Sequence, residues 1–530
     1  MPATARGFGG AQARHAGIMA AGTALSRLSG FARVLAVGWV LGQGRLSDAY
    51  NQANTVPNTI YELLLGGVLS ATLLPVVMQS LGKRAGEDES DAVPAIITVL
   101  MAGLVVATFI FWLLAPEIIH FYFVLKPASQ QATAEQSLAT TWLRLFAPQL
   151  LFIGLITITT ALLNARRRFG AVAFSPVLAN LVTIAALAVA DRLVAHGSVG
   201  AYLGSTAAVA VVGIGTTAGY LAQLLAQLPA LVRARVPLGL RWAPRHPALV
   251  KIARLSGWTV GAVVANQVSF TLVSLLALAR GNGDYTAFAN AYAFMLLPHA
   301  VLAVSVAYAV APELAELWSI GDRSRFAAGT SQALRATVAL VLPAGVGYAL
   351  VAKPVVVAAL AHGNLNLPAA RLTGSLLVVF ALGLPGFSAY LLLMRAFQAK
   401  QDTRSMFWLY VLENALTVAL ALALYSPLGI KGLTAAWIAP YTLCVPFAWW
   451  RLRLSAPVSV PWAWWARAGG ATAVMGGVVA ALVVLVPEPV SLALSIGRVA
   501  IVAILGAGVY LALGRALGLK ELSQHREYVS

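Results

Sequence analysis

Ser26-Arg27-Leu28-Ser29-Gly30-Phe31-Ala32-Arg33 lies inside an apolar segment that runs from about Ile18 to Leu41. Roughly twenty apolar residues cross the hydrocarbon core of a bilayer, so the segment reads as a membrane span. It nevertheless carries two guanidinium groups, Arg27 and Arg33, and a guanidinium keeps its proton in any protein environment. Placing one near the membrane centre costs at least about 2.5–3.5 kcal/mol. Two of them need a wet cavity, an acidic partner or an anionic ligand. The expectation is a protein built around a basic, water-filled cavity that takes up an anionic substrate.

The surrounding chain has the same character. Its 530 residues are 60% hydrophobic and 10% charged, with a mean hydropathy of +0.81. Soluble domains carry roughly 25% charged residues, so the fold class is an all-α polytopic membrane protein. The net charge of +18 sits mostly in short loops, where the positive-inside rule accounts for it; nucleic acid is not an expected partner. Cys444 is the only cysteine, which excludes an intramolecular disulfide and argues against a thiol-based metal site. The seven histidines are scattered, and neither a nucleotide-binding P-loop nor a zinc-protease H-E-x-x-H occurs. No cofactor is expected; whether Na⁺ or H⁺ couples to the protein is open.

Fourteen apolar segments can be counted, at about 17–42, 48–81, 92–122, 136–164, 171–194, 203–232, 249–279, 285–318, 326–352, 369–397, 404–425, 431–450, 463–486 and 490–514. The odd-to-even connections hold little basic charge, such as Arg45, Lys126, Arg280 and Lys431. The even-to-odd connections are rich in it, from Lys83-Arg84 and Arg166-Arg167-Arg168 to Arg451 and Arg453. This alternation predicts that both termini are cytoplasmic. Residues 1–16 read as a retained cytoplasmic tail, since the first span is longer than a signal-peptide core and lacks a cleavage pattern.

The chain also reads as two copies of one plan. Arg27-Leu28-Ser29-Gly30-Phe31 recurs as Arg254-Leu255-Ser256-Gly257-Trp258, Leu163-Asn164-Ala165-Arg166 as Phe397-Gln398-Ala399-Lys400, and Pro57 as Pro298. The offsets are 227, 234 and 241 residues, in the same order. Parallel six-helix repeats follow, an N-lobe over 17–235 and a C-lobe over 236–455, with the site expected between them. The last two spans, 456–516, are an addition, and 517–530 form a second cytoplasmic tail.

Candidate site residues follow from charge in apolar surroundings. Arg27 and Arg33 lead, with Gly30 between them permitting a bend or a close helix approach. Asp48 opens the second span and either caps that helix or pairs with a cavity arginine when the outer side closes. Arg254 is either the second-copy counterpart of Arg27 or a loop residue. Glu62, Glu413 and Arg144 are intramembrane charges that either serve the site or pair between helices. Asn266, Gln267 and Asn290 either line a polar cavity or bond helix to helix.

Ser26-Arg27-x-x-Gly30-Phe31-Ala32-Arg33, followed by Gly42, Asp48-Ala49 and Val56-Pro57-Asn58, resembles the opening of the MurJ/MviN family of lipid II flippases. That family belongs to the multidrug/oligosaccharidyl-lipid/polysaccharide exporter superfamily. The resemblance continues through Leu163-Asn164-Ala165, Arg168-Phe169, Phe174-Ser175-Pro176 and Asn180, and resumes at Arg395-Ala396-Phe397 and Gln401-Asp402-Thr403-Arg404. It implies fourteen helices in the bacterial cytoplasmic (inner) membrane and outward movement of lipid II, the undecaprenyl-pyrophosphate-linked peptidoglycan precursor, by alternating access. It implies cavity roles for Arg27 and Arg33, a role for Asp48, and a lipid-tail groove at the last two spans. Membrane lipids and cell-wall synthesis machinery are the implied partners. The chain departs from the family pattern at Tyr61, where a basic residue is expected, and at Ala293 and Leu296, where an arginine and an acid are expected. Arg254 is then a candidate substitute charge. Two other functions fit the composition: a flippase for another polyprenyl-linked glycan, and a cation-coupled multidrug exporter, which would use Glu62 and Glu413. A non-transporting scaffold would tolerate loss of both arginines.

Overall fold

A computed structural model describes residues 5–66, 92–166, 168–194, 198–234, 239–247, 249–250, 257–485, 492–519 and 521. The protein is an all-α polytopic membrane protein, and no strand occurs among the described residues. Twelve helices there are long and apolar enough to span a membrane. Two differences from the sequence count have local causes. Segments 404–425 and 431–450 run as one helix, Thr403–Arg453, broken at Gly429, whose φ of 58° suits a residue without Cβ. Segment 48–81 is described only as far as Gly66.

The chain divides into two compact units. Unit 1 holds residues 1–267 and 278–283. Its helices are α1 (Ala5–Leu41), α2 (Arg45–Tyr61, followed by a π turn over Glu62–Gly66), α3 (Ala92–Leu113), α4 (Ala115–Phe123), α5 (Gln130–Phe146), α6 (Pro148–Ala165), α7 (Phe169–Leu193), α8 (Val199–Leu203) and α9 (Thr206–Arg233). α10 (Gly257–Arg280) is shared between the units. Unit 2 continues with α11 (Asp284–Ser319), α12 (Arg323–Leu360), α13 (Leu367–Ala399), α14 (Thr403–Arg453), α15 (Trp462–Leu485) and α16 (Leu492–Ala516). Side-chain oxygens of Ser129, Ser198, Ser205, Asp322, Asn366 and Asp402 accept from the first-turn amides of the helices they precede, which satisfies groups that lipid cannot.

Unit 1 closes on an aromatic core. Tyr50 of α2 meets Trp142 and Phe146 of α5 edge-on, at 5.8 and 5.7 Å between ring centroids. Trp142 meets Tyr202 of α8 and donates to the Val209 carbonyl at 3.2 Å. Between α6, α7 and α9 a buried polar set, Thr159, Ser175 and Gln227, bonds helix to helix, as Ser, Thr and Gln do where apolar burial gives no drive to associate. α1 lies along α7, and the closest approach is at Gly22, where a Cβ would fall 2.5 Å from the Ala173 Cβ. At Gly30, by contrast, a Cβ would meet Asn180 at an ordinary 3.6 Å, and α1 runs through it unbroken.

Unit 2 packs α11, α12 and α14 around α13. Phe288, Tyr292, Phe380 and Trp437 make one aromatic layer, and Phe387, Tyr390 and Tyr441 a second. α15 and α16 pair with each other and lean on α12.

Connections of like parity gather at like ends. In unit 1 the turn before α2, the loop before α5 and the turn after α10 lie together: Lys126 bonds Glu135 at 2.7 Å, Glu135 is within electrostatic reach of Asp48 and Arg45, and Asp48 bonds Gly283. In unit 2 the turns before α12 and α14 and the segment after α14 lie together through Trp318, Arg323, Lys400 and Ser455. α6 ends at Ala165 with Arg166 as its cap, α13 ends at Ala399 with Lys400 as its cap, and Pro57 and Pro298 both lie inside helices.

Candidate functional site

The apolar span of α1 is Ala21–Leu41. Arg27 and Arg33 both lie inside it. The two are six residues apart, hence about 120° around the helix, and Gly30 sits midway on that arc. A Cβ at Gly30 would meet the Asn180 amide of α7 at 3.6 Å. Ser29 also faces α7, where its hydroxyl accepts from the Asn180 amide at 3.0 Å and donates to the Ser26 carbonyl. Arg27 is exposed and Arg33 half-buried, the latter within electrostatic reach of the Tyr50 hydroxyl. Among the described residues neither arginine makes an ion pair.

Asp48 is fully buried. Its carboxylate accepts from the Gly283 amide at 2.7 Å, joining the start of α2 to the turn after α10. Gly283 has φ +95°, and a Cβ there would fall 2.8 Å from the Gln43 carbonyl carbon and oxygen. The turn therefore closes only with glycine. Around Asp48 the buried charges balance: Glu135 with Asp48, Lys126 with Arg45. Glu135 and Gly283 were not candidates from sequence. Glu135 gives no signal in a polar helix start, and Gly283 lies 235 residues from Asp48.

The remaining candidates are dispersed. Glu62 is exposed in the π turn that ends α2. Arg144 is exposed and lies over the Trp112 ring at 5.5 Å, so its partner is an aromatic face. Arg254 lies outside the described residues. Asn266 is half-buried on α10; Asn290 is buried on α11, its amide nitrogen without a hydrogen bond. Glu413 is buried in unit 2 among the tyrosines 292, 390, 410 and 441, and its carboxylate accepts from Thr417 at 3.3 Å. Its neighbour Asn414 accepts from Ser269.

A long apolar cavity of about 670 Å³ lies between α11, α12, α15 and α16. Pro298, Met475, Val479 and Val502 line it, with Tyr348 and Tyr510 supplying hydroxyls. The Tyr348 hydroxyl is spent on the Phe294 carbonyl at 3.2 Å. Such a lining holds hydrocarbon and no charge.

The family model for lipid II flippase MurJ matches residues 37–500 of the chain; Arg27 and Arg33 precede that stretch. A probable lipid II flippase MurJ of Rhizobium meliloti (strain 1021) is 26% identical over 433 residues, covering 80% of this chain and 78% of the relative. The lipid II flippase MurJ of Burkholderia cenocepacia is 27% identical over 387 residues, 72% of each chain. A solved lipid II flippase MurJ in an inward closed conformation shares the fold, with a TM-score of 0.76 at 17% identity over 94% of this chain and 99% of that one. An inward-facing multidrug resistance MATE family transporter of the MOP superfamily does so at a TM-score of 0.65, with 15% identity over 80% of this chain and 93% of that one. With 464 consecutive positions inside one family model, the chain belongs to the lipid II flippase MurJ family.

Proposed function

We propose that this protein carries lipid II, a polyprenyl pyrophosphate bearing the peptidoglycan precursor, from the inner to the outer leaflet of the bacterial cytoplasmic membrane. The carrying observation is the pair Arg27 and Arg33, both inside the apolar span of α1 and without a carboxylate partner among the described residues. A pyrophosphate supplies the missing anion through charge-assisted, bidentate hydrogen bonds. The apolar cavity beside α15 and α16 suits the polyprenyl tail, which never needs to leave an apolar medium. Asp48 and the Gly283 amide hold the outer end shut and part when the outer side opens. Both termini lie in the cytoplasm, where the basic connections sit. An inside-negative potential then favours export by roughly 2.3 kcal/mol per charge per 100 mV. The protein works by moving its lipid and makes or breaks no bond in it; cell-wall synthesis enzymes take up the delivered precursor.

The test replaces the native flippase of a depletion strain and measures lipid II in the outer leaflet. The wild-type chain restores it, and Arg27→Ala and Arg33→Ala, inserted at normal levels, do not. Normal export by both variants removes the basis of the proposal.

A further inference from the structure

Unit 2 holds a second cavity, separate from the long apolar one and lined by both polar and apolar side chains, of about 110 Å³. It exists because one face of α11 carries small residues after a histidine: His299, Ala303 and Ala307 recur every four positions and are all buried. Opposite them stand Ser388 and Arg395 of α13, with Tyr410 of α14 closing one side. His299 Nδ1 and the buried Ser388 hydroxyl are 2.9 Å apart.

Arg395 is the informative residue. It lies four positions before the end of α13 at Ala399, close enough to reach water along its own helix. Its guanidinium lies 5.2 Å from the centroid of the Tyr308 ring of α11, at the solvent-exposed mouth of the cavity. One of its five N–H donors goes to Gln398 Oε1 at 2.7 Å. Among the described residues it makes no ion pair. The cavity wall contains no carboxylate: its polar residues are His299, Tyr308, Ser388, Arg395, Gln398 and Tyr410. Glu413, a turn beyond Tyr410 on α14, is enclosed by tyrosines and is not part of that wall. Hydroxyl, imidazole and guanidinium groups converging without an acid attract an anion and reject a cation. The planar guanidinium fork matches two oxygens of one phosphate, a geometry an ammonium cannot offer.

We infer that this cavity is a phosphate subsite within unit 2, with Arg395 as its charged partner and Ser388, His299 and Tyr410 as directional hydrogen-bonding groups. It rests on the flippase reading for the source of that phosphate, which is the pyrophosphate of the carried lipid. Its role is to give the headgroup a contact on unit 2 that is chemically separate from the α1 arginines.

The experiment measures binding of farnesyl pyrophosphate, farnesyl monophosphate and inorganic pyrophosphate to the purified full chain in detergent. The wild-type chain binds the two pyrophosphates more tightly than the monophosphate. Arg395→Gln weakens both pyrophosphates by about tenfold or more and reduces that preference, as expected for a lost charge-assisted contact beside the intact α1 arginines. Arg395→Lys keeps the charge but loses the bidentate contact and falls between. His299→Gln weakens binding by several-fold, and melting temperatures of all three variants near wild type confirm folding. The inference is overturned if Arg395→Gln and His299→Gln bind farnesyl pyrophosphate as the wild type does. It is also overturned if only inorganic pyrophosphate responds, since the site would then not read a lipid headgroup. If the wild-type chain binds in the expected manner yet exports no lipid II, the flippase reading fails and the phosphate subsite stands.

Discussion

Removing either partner of the bond between Asp48 and Gly283 should open the same turn. Asp48 is fully buried and its carboxylate accepts the Gly283 amide at 2.7 Å. Hydrogen bonds to charged groups contribute about 1.5–3 kcal/mol, and each 1.4 kcal/mol is roughly tenfold in an equilibrium. In Asp48→Ala the Gly283 amide should therefore exchange with solvent deuterium roughly 10- to 100-fold faster than in the wild type. Asp48→Asn keeps a neutral acceptor and should fall between. Gly283→Ala acts by a different route: a Cβ at φ +95° would sit 2.8 Å from backbone atoms of Gln43, which no rotamer change relieves. A left-handed conformation alone costs a residue with Cβ about 1–2 kcal/mol, so the effect should match or exceed that of Asp48→Ala. Hydrogen–deuterium exchange of the peptide spanning 279–286, read by mass spectrometry on the full chain in detergent, measures this directly. Asp191→Ala, at an exposed acid on α7, is the control and should change nothing there. Wild-type exchange in both Asp48→Ala and Gly283→Ala would refute the clasp and, with it, the assignment of Asp48 to closing the outer end.

Three other perturbations test separate features. Gly22→Ala pushes α1 off α7 at Ala173, where the added Cβ would sit 2.5 Å away; overpacking of this kind costs about 1–3 kcal/mol, and the melting temperature should fall and recover in the Gly22→Ala, Ala173→Gly double variant. Burial alone raises the Asp402 carboxyl, but donation from the Ser405 amide and hydroxyl, with Lys400 and Arg451 nearby, holds it below the ordinary carboxylate value. Its stabilisation is then complete above the unfolded value of about 3.9 and disappears as pH falls through the lower folded value; thermal melts of Asp402→Ala should be less stable than wild type at pH 6 and converge with it in strong acid. Ala344→Phe and Ala503→Phe fill the apolar cavity. With about 0.8 kcal/mol lost for each methylene kept out of it, two or three displaced methylenes should weaken binding of an undecaprenyl pyrophosphate roughly 10- to 50-fold, and a farnesyl probe much less; equal losses for both chain lengths would place the tail elsewhere.

What the sequence made legible is what charge and apolar length determine. Each span must be long enough for the bilayer, and lysines and arginines crowd alternate connections, so Lys400, Arg323 and Arg451 fall on the basic connections of unit 2, whereas Lys126 and Arg45 are among the few basic residues of the opposite parity and lie beside Glu135 in unit 1. The break at Gly429 falls between the segments counted as 404–425 and 431–450. The glycine that α1 needs for close packing was not legible. Gly30 stands in the motif, but Gly22 meets α7, and nothing in the sequence separates them, because a helix between lipid and protein is apolar on every side and shows no directional face.

The same physics explains why the sites were only half legible. A cation in an apolar run announces itself, whereas its answering group can be any donor or backbone amide far along the chain. Asp48 was visible and Gly283 was not; Arg395 was visible as part of a motif, while its neighbours His299 and Ser388 looked like isolated polar residues in apolar helices. The apolar cavity is the extreme case. Its walls from α11, α12, α15 and α16 differ in no compositional way from surfaces that face lipid. Such a cavity can be deduced only from shape, since a bilayer and a polyprenyl chain make identical demands on a side chain. A lipid carrier built this way therefore writes its headgroup chemistry into its sequence and leaves its tail chemistry to the fold.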